Sequence, residues 1–332
     1  MTGLDATSSE TAAELGLSEI GAPQTATPPV GSGRASGFDY RGLQAQLDTV
    51  FARQIFFIGG VAKSGTTWLQ LLLDAHPEVS CAVERHFVNQ LFPTIKRALE
   101  EHNRYLKTKE ETVFGELTKR YPVFEFRELE YVFGSALLLL LLKQIEGKPA
   151  ARAVGEKTPE NLLVFQGLTR LIPHAKCIQI VRDPRDAAVS AWFHVLRVMP
   201  EDTNRAFATM ADYLRYFTDN WVREVGKGVE FGARNPERYI DLRYNDLLDE
   251  PAATLTRTFS FLGVDDSPET VRQCLAEASF EKLSGGRSPG TERRDSLFRK
   301  GVNGDWKNHF DAATHDYVIR TAGPLMRRFG FL

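Results

Sequence analysis

Short apolar runs closed by glycine alternate with longer stretches of helical spacing along most of the chain. Ile55-Phe56-Phe57-Ile58 is an unbroken apolar run ended by Gly59 and Gly60, the pattern of a buried strand. A helical pattern starts at Trp68 and breaks at Ala75-His76-Pro77. A helix is predicted over residues 86–101, kinked by Pro93, and a longer one over 124–145, ended by Gly147 and Pro149. Residues 152–155 read as a short strand. Thr158 then caps a helix running to about residue 172, with Pro159 at its first position. The run from Lys176 to Val181 is another buried strand, and 238–244 alternates like a fourth. Further helices are predicted over 204–229, 251–263 and 312–328, while the polar stretch 107–123 reads as a surface connection or lid. Strands alternating with helices predict an α/β protein with a central parallel sheet flanked by helices on both faces.

Residues 1–37 contain no aromatic residue and are rich in Ala, Thr, Ser, Gly and Pro. They cannot bury enough apolar surface to offset the entropy of ordering and are predicted to be a disordered tail, leaving 38–332 as a single domain. Arg34 is their only basic residue and no apolar core segment appears, so they do not read as a targeting peptide. The apolar run at 136–142 is far too short to span a bilayer and reads as buried helix. The chain is 42% hydrophobic and 25% charged, ordinary values for a soluble domain. A net charge of −2 gives bulk electrostatics no means to recruit nucleic acid or membrane, so any anion site must be built locally. Cys81, Cys177 and Cys274 are widely spaced, with no metal-pair or disulfide pattern. They read as thiols of a reducing, cytoplasmic setting.

The chemistry gathers in three places. The first is Gly60-Val61-Ala62-Lys63-Ser64-Gly65-Thr66-Thr67-Trp68. Strand, glycine loop and helix N-terminus make a phosphate cradle from inward N–H groups and the first free helix amides. Gly60 and Gly65 keep the glycine spacing of a nucleoside-triphosphate loop. Thr66-Thr67 replaces the Lys-Ser or Lys-Thr that should follow, however, and the lysine lies inside the loop at Lys63. A kinase or hydrolase would thereby lose its phosphate lysine and the hydroxyl beside it. The second place is Arg182, delivered at the carboxyl end of a strand where ligands of open α/β sheets bind, with Ser190 two turns along the next helix. The third is Phe298-Arg299-Lys300-Gly301 followed by Gly304-Asp305-Trp306-Lys307-Asn308, preceded by the Gly-, Ser- and Arg-rich stretch 284–295, which is expected to be mobile.

K-S-G-T-T-W, the Arg182/Ser190 pair and F-R-K-G with G-D-W-K-N together resemble sulfotransferases that use 3′-phosphoadenosine 5′-phosphosulfate (PAPS). The resemblance covers residues 54 to about 308. It implies the P-loop-like fold of that family and transfer of a sulfonate from PAPS to a hydroxyl or amine by in-line displacement, without metal. It further implies that Lys63, Ser64, Gly65, Thr66 and Thr67 bind the 5′-phosphosulfate. Trp68 would stack on adenine, with Tyr244 and Phe280 as further adenine walls. Arg182, Ser190, Arg299, Lys300 and Gly301 would hold the 3′-phosphate. Lys63 would neutralise the bridging oxygen, and Lys157, in G-E-K-T-P, the sulfonate oxygens.

A base must accept the acceptor's proton. The histidine that cytosolic members carry after Lys-Thr is absent here, since Lys157-Thr158 is followed by Pro159. Tyrosylprotein-type members use a glutamate shortly after D-A-H-P. Counting on from Asp74-Ala75-His76-Pro77 reaches Glu84, with His86 second and Glu156 third. The acceptor is expected to be a small molecule, with a peptide or sugar as alternatives. A P-loop kinase or hydrolase, and a nucleotide-binding protein that has lost its chemistry, stay open as other readings.

Overall fold

The computed structural model describes residues 39–114, 121–288, 290–293, 296 and 299–332. The predicted tail, 1–37, lies outside them. The chain divides into two units, Met1–Leu43 and Gln44–Leu332. The described part of the first is residues 39–43, which begin helix α1 (Tyr40–Phe51).

Among the described residues five strands follow within the second unit: β1 (Gln54–Gly59), β2 (Val79–Ala82), β3 (Ala153–Lys157), β4 (Lys176–Val181) and β5 (Tyr239–Arg243). They form one sheet in the order β2-β3-β1-β4-β5, and every pairing is parallel. Parallel strands need covering on both faces, and β1 shows how the sequence meets that need. Its side chains alternate, so Ile55 and Phe57 enter one core and Phe56 and Ile58 the other. The first core is closed by α4 (Phe126–Glu146), α5 (Phe165–Leu171), α6 (Pro184–Val198), α8 (Met210–Arg234) and α13 (Ala312–Arg328). The second takes α2 (Thr66–Asp74), α10 (Pro251–Leu262) and α11 (Pro268–Glu277). Within the leucine run, Leu137 and Leu141 are fully buried one turn apart. Each such side chain contributes about 1.5–3 kcal/mol of transfer free energy.

The strand order fixes where a ligand can sit. From β1 the chain moves toward β2, and from β4 it moves toward β5. The connections leave these neighbouring strands in opposite directions, which opens a crevice at their carboxyl ends. The phosphate loop follows β1 and Arg182 follows β4, so both line that crevice.

Several boundaries differ from those predicted. The helix expected over 86–101 is a wide π-helical turn, Phe87–Leu91, followed by α3 (Phe92–Lys109). Pro93 lies in the first turn of α3, where a missing N–H costs nothing, and so starts that helix instead of kinking it. The connection foreseen at 107–123 begins inside α3 and continues as another wide turn, Glu110–Phe114. Residues 115–120 are not among those described. The helix predicted over 158–172 opens as a 3-10 turn, Pro159–Val164, before α5. The helix expected over 204–229 is two, α7 (Pro200–Ala206) and α8, because Thr209 and Asp212 form a reciprocal cap that starts α8 afresh. Short helices α9 (Tyr244–Asp249) and α12 (Phe280–Leu283) complete the set used below. No helix among the described residues is long and apolar enough to cross a membrane.

Candidate active site

A cavity of about 630 Å³ opens at the crevice, inside the ~300–1,000 Å³ range of small-molecule sites. Its floor is the phosphate loop and the first turn of α2, whose initial amides have no partners inside the helix. Gly65 caps α2 at φ 97°, and a Cβ there would lie 2.5 Å from the Tyr244 ring. Only glycine meets both conditions. Lys63 also has a left-handed backbone, φ 68°, which is costly for a side chain of its kind. Burial, then the cationic Arg197, Arg182 and Lys157, push its ammonium down to about 8, against Glu84, which raises it. Lys63, Gly65, Thr66, Thr67 and Trp68 all line the cavity. Ser64 does not: its side chain is fully buried beside the lining, and its amide is taken by the Val61 carbonyl at 3.1 Å.

Arg182 and Ser190 line the same cavity from β4 and α6. Arg182 is buried and spans two motifs, donating from Nη1 to the Lys63 carbonyl (3.2 Å) and from Nη2 to the Val302 carbonyl (3.1 Å). Its guanidinium lies 4.4 Å over the Tyr244 ring, so one face of Tyr244 is already covered. The neighbouring carboxylates are occupied elsewhere. Asp183 caps α6 and pairs with Arg185, and Asp186 accepts from the amides of Gly304 (2.7 Å) and Trp306 (3.1 Å). Asp186 thus ties the third motif to the second.

In that third motif Arg299, Lys300 and Gly301 reach the cavity wall with Phe280, which packs where Gly301, at φ 67°, leaves room. Both basic side chains are held by a carboxylate: Arg299 Nη2 lies 2.6 Å and Lys300 Nζ 2.5 Å from Asp305, itself 5% exposed. Burial alone would raise Asp305, but hydrogen bonds from Lys300, Arg299 and Asn308 outweigh it and hold the carboxyl well below its usual range. The stretch expected to be mobile lies partly outside the described residues. Where described, it is fastened by Arg287, which donates to the carbonyls of Ser284, Thr291 and Arg299. Trp68, on the floor, donates to the Ala278 carbonyl (2.9 Å) and meets Tyr244 edge-on at 6.0 Å.

The lysine and carboxylate candidates come from β3 and the return after β2. β3 runs to Lys157, two residues past the predicted end, which leaves Lys157 at the cavity with 2% exposure. Its Nζ lies 2.5 Å from Glu84 Oε1 and 3.2 Å from Thr67 Oγ1. Asp74 and His76 build the turn that delivers Glu84. Asp74 accepts from the Cys81 amide (2.8 Å), and His76 accepts from the Glu78 amide (2.9 Å) while donating to the Asp265 carbonyl (2.7 Å). His86 stands outside the lining, 3.8 Å from the other oxygen of Glu84, with φ 52°. Glu156 is fully buried outside the cavity lining and accepts from the Arg85 amide, the Thr158 hydroxyl and Asn161. Sequence reasoning passed over Val83, Glu160, Leu248, Leu283 and His194, which also line the cavity. Only His194 carried a legible signal, its i+4 spacing from Ser190 on α6.

The residues fit an anionic nucleotide on structural grounds. Ser64 Oγ, Arg182 Nε and Arg299 Nε are buried without hydrogen-bond partners among the described residues, polar groups that an anionic ligand could satisfy. Among the described residues no cluster of three or more His, Cys, Asp or Glu side chains is placed to hold a metal ion.

The profile of the sulfotransferase family matches residues 55–268, well over half of the chain. The 3-alpha-hydroxysteroid sulfotransferase of Cavia porcellus is 29% identical over 153 residues, 42% of this chain and 52% of the relative. The protein-tyrosine sulfotransferase 2 of Gallus gallus is 26% identical over 283 residues, 83% of this chain and 69% of the relative. The chain thus spans about half the length of the first and just over two-thirds of the second. Mouse sulfotransferase SULT7A1, solved with 3′-phosphoadenosine 5′-phosphate (PAP), shares the fold at a TM-score of 0.50, with 21% identity over 87% of this chain and 90% of that one.

Proposed function

The chain belongs to the sulfotransferase family, and from that premise we propose that it moves a sulfonate from PAPS to a hydroxyl or amine of an acceptor. The observation that carries this reading is the meeting of Lys63, Lys157 and Glu84 at one cavity with the first turn of α2 and Arg182. PAPS supplies the sulfonate and leaves as PAP. The α2 amides and Thr66–Thr67 would bind the 5′ end, Arg182, Ser190, Arg299 and Lys300 the 3′-phosphate, and Trp68, Tyr244 and Phe280 the base. Lys63 neutralises the phosphate oxygen that becomes charged as its bond to sulfur breaks, and Lys157 the sulfonate oxygens. Glu84 takes the proton that the acceptor sheds as its oxygen or nitrogen bonds to sulfur. Positioning and charge stabilisation supply the rest, as in phosphoryl transfer. Three buried free thiols support a reducing, cytoplasmic setting.

Calorimetry in chelator with PAP and with AMP tests the nucleotide assignment. Each charged contact is worth about 1.5–3 kcal/mol, so PAP should bind at least about a hundredfold more tightly. Equal affinities would overturn it. Transfer of label from sulfur-labelled PAPS to a panel of phenols, alcohols, sugars and amines tests the reaction itself.

A further inference from the structure

His194 lines the cavity one helical turn beyond Ser190, and the chemistry described so far does not use it. Arg197, three residues on, places Nη2 3.1 Å from His194 Nδ1. A guanidinium has donors only, so Nδ1 must be the accepting nitrogen and the ring proton sits on Nε2. Burial, with Lys63 and Arg197 as cationic neighbours and Glu84 opposing them, pushes His194 down to about 4. At neutral pH the ring is therefore uncharged. Nδ1 is covered and Nε2 is protonated, so His194 can donate a hydrogen bond but cannot serve as the base.

The surroundings say what it would donate to. Nε2 has no partner among the described residues, and His194 is the one hydrogen-bond partner of Arg197 among them. Arg197 is exposed and stands outside the cavity lining, so its guanidinium meets the site at the rim, through His194. Apolar side chains are exposed in the same cavity and at the same helix end. Val83, beside Glu84, lines the cavity at 59% exposure, and Val198 and Met199 follow Arg197 at 47% and 50%. This end of the site thus combines apolar contact with a fixed N–H donor and a cation that has no carboxylate partner among the described residues.

We propose that His194 and Arg197 form an acceptor-recognition pair, holding an anionic oxygen group of the acceptor through His194 Nε2–H and the Arg197 guanidinium. The acceptor class is then a hydroxy acid: an apolar body, a hydroxyl presented to Glu84 and a carboxylate presented to the pair. Arginine suits the task because its planar fork matches a carboxylate. Within the reaction His194 is a positioning residue. The proposal rests on the sulfotransferase reading.

Two probes that share a ring and a hydroxyl but differ in the carboxylate test it: 4-hydroxyphenylacetate and 4-methylphenol, titrated calorimetrically into PAP-saturated protein at pH 7. The acid should bind at least about tenfold more tightly, the scale of one charge-assisted hydrogen bond. Arg197→Met should erase that preference while leaving 4-methylphenol affinity in place. His194→Gln, which keeps a donor, should retain part of it and His194→Phe should not, with melting curves confirming that each variant is folded. The proposal is overturned if PAP-loaded wild type binds the acid no better than 4-methylphenol, including the case where it binds neither, or if the preference survives Arg197→Met. Failure to bind PAP would overturn the nucleotide assignment alone, and the same titration into nucleotide-free protein would still decide the acceptor question.

Discussion

The ammonium of Lys157 lies 2.5 Å from Oε1 of Glu84 and 3.2 Å from the hydroxyl of Thr67. Three parts of the chain meet in that contact: the end of β3, the return after β2 and the first turn of α2. Lys157 is almost wholly buried while Glu84 is partly open to the cavity. A buried ammonium is tolerable only with partners, so the pair holds the carboxylate at the cavity wall in one orientation. The cation proposed to face the sulfonate and the base proposed to face the acceptor are thereby set side by side.

Replacing Glu84 with Gln keeps the shape and removes the proton acceptor. The expected loss in kcat is about 10²–10⁴-fold, with PAP affinity retained. His86→Ala should cost far less, because His86 stands outside the lining behind Glu84. Steady-state kinetics on both variants decides it. A dead His86→Ala with a normal Glu84→Gln would move the base to His86.

Glu156 is expected to have a structural task. It holds the Arg85 amide at 3.0 Å, the Asn161 amide group at 2.7 Å and the Thr158 hydroxyl, and so anchors the residue next to Glu84. Burial raises its pKa, against those hydrogen bonds and Lys157. In Glu156→Gln an NH2 must replace one accepting oxygen and face a donor. Stability should fall by about 1–3 kcal/mol. Urea unfolding measures this, and the acidic limb of the pH–rate profile should stay where it is. A shifted limb would restore Glu156 as a proton-transfer group.

The parts of this molecule legible in its sequence are those written in contiguous residues. The β1 run, the Gly60–Gly65 loop and the strand before Arg182 combine local propensity with short spacing, and each lies where that reading puts it. Contacts between distant residues were not legible. Nothing near Glu156 in the chain says that it takes the Arg85 amide, and nothing near Lys157 says that its ammonium meets Glu84. Both depend on which chain segments the sheet order brings together. The misread helix at 204–229 has a local cause instead: the Thr209–Asp212 cap competes with a helical pattern that otherwise continues.

Asp305 occupies the two cations assigned to the 3′-phosphate, so losing it should matter most without nucleotide. Asp305→Asn should lower the melting temperature of the free protein and do so less in saturating PAP, where the phosphate supplies the missing negative charge. The acid response follows from the depressed pKa. The stabilisation is present above the unfolded-state value near ~3.9 and is lost as pH falls through the lower folded value. Wild type should therefore lose stability more steeply than Asp305→Asn in that acid range. Equal shifts with and without PAP would remove Arg299 and Lys300 from the nucleotide site.

Lys63 combines a left-handed backbone at φ 68° with an ammonium pushed down to about 8, by burial first and then by Arg197, Arg182 and Lys157. Both features cost the free protein stability, and both have a measurable sign. Between about 8 and 10.5 the unfolded chain keeps the proton that the folded one has lost, so this group's contribution to stability rises with pH across that window. Nucleotide affinity should run the other way. The bound anion favours the charged lysine, so PAP affinity should fall as pH rises through about 8, by up to about tenfold per unit, with proton uptake on binding. Lys63→Met is neutral throughout and should bind PAP weakly with neither slope. Lys63→Gly removes the buried cation and also relieves the left-handed backbone, a strain of about 1–3 kcal/mol, so it should melt above wild type while losing transfer activity. Calorimetry across pH 7–10 on the three proteins, with melting curves beside it, separates this from a solvated lysine. A solvated lysine would titrate near 10.5 and give parallel curves for wild type and Lys63→Met over most of that range.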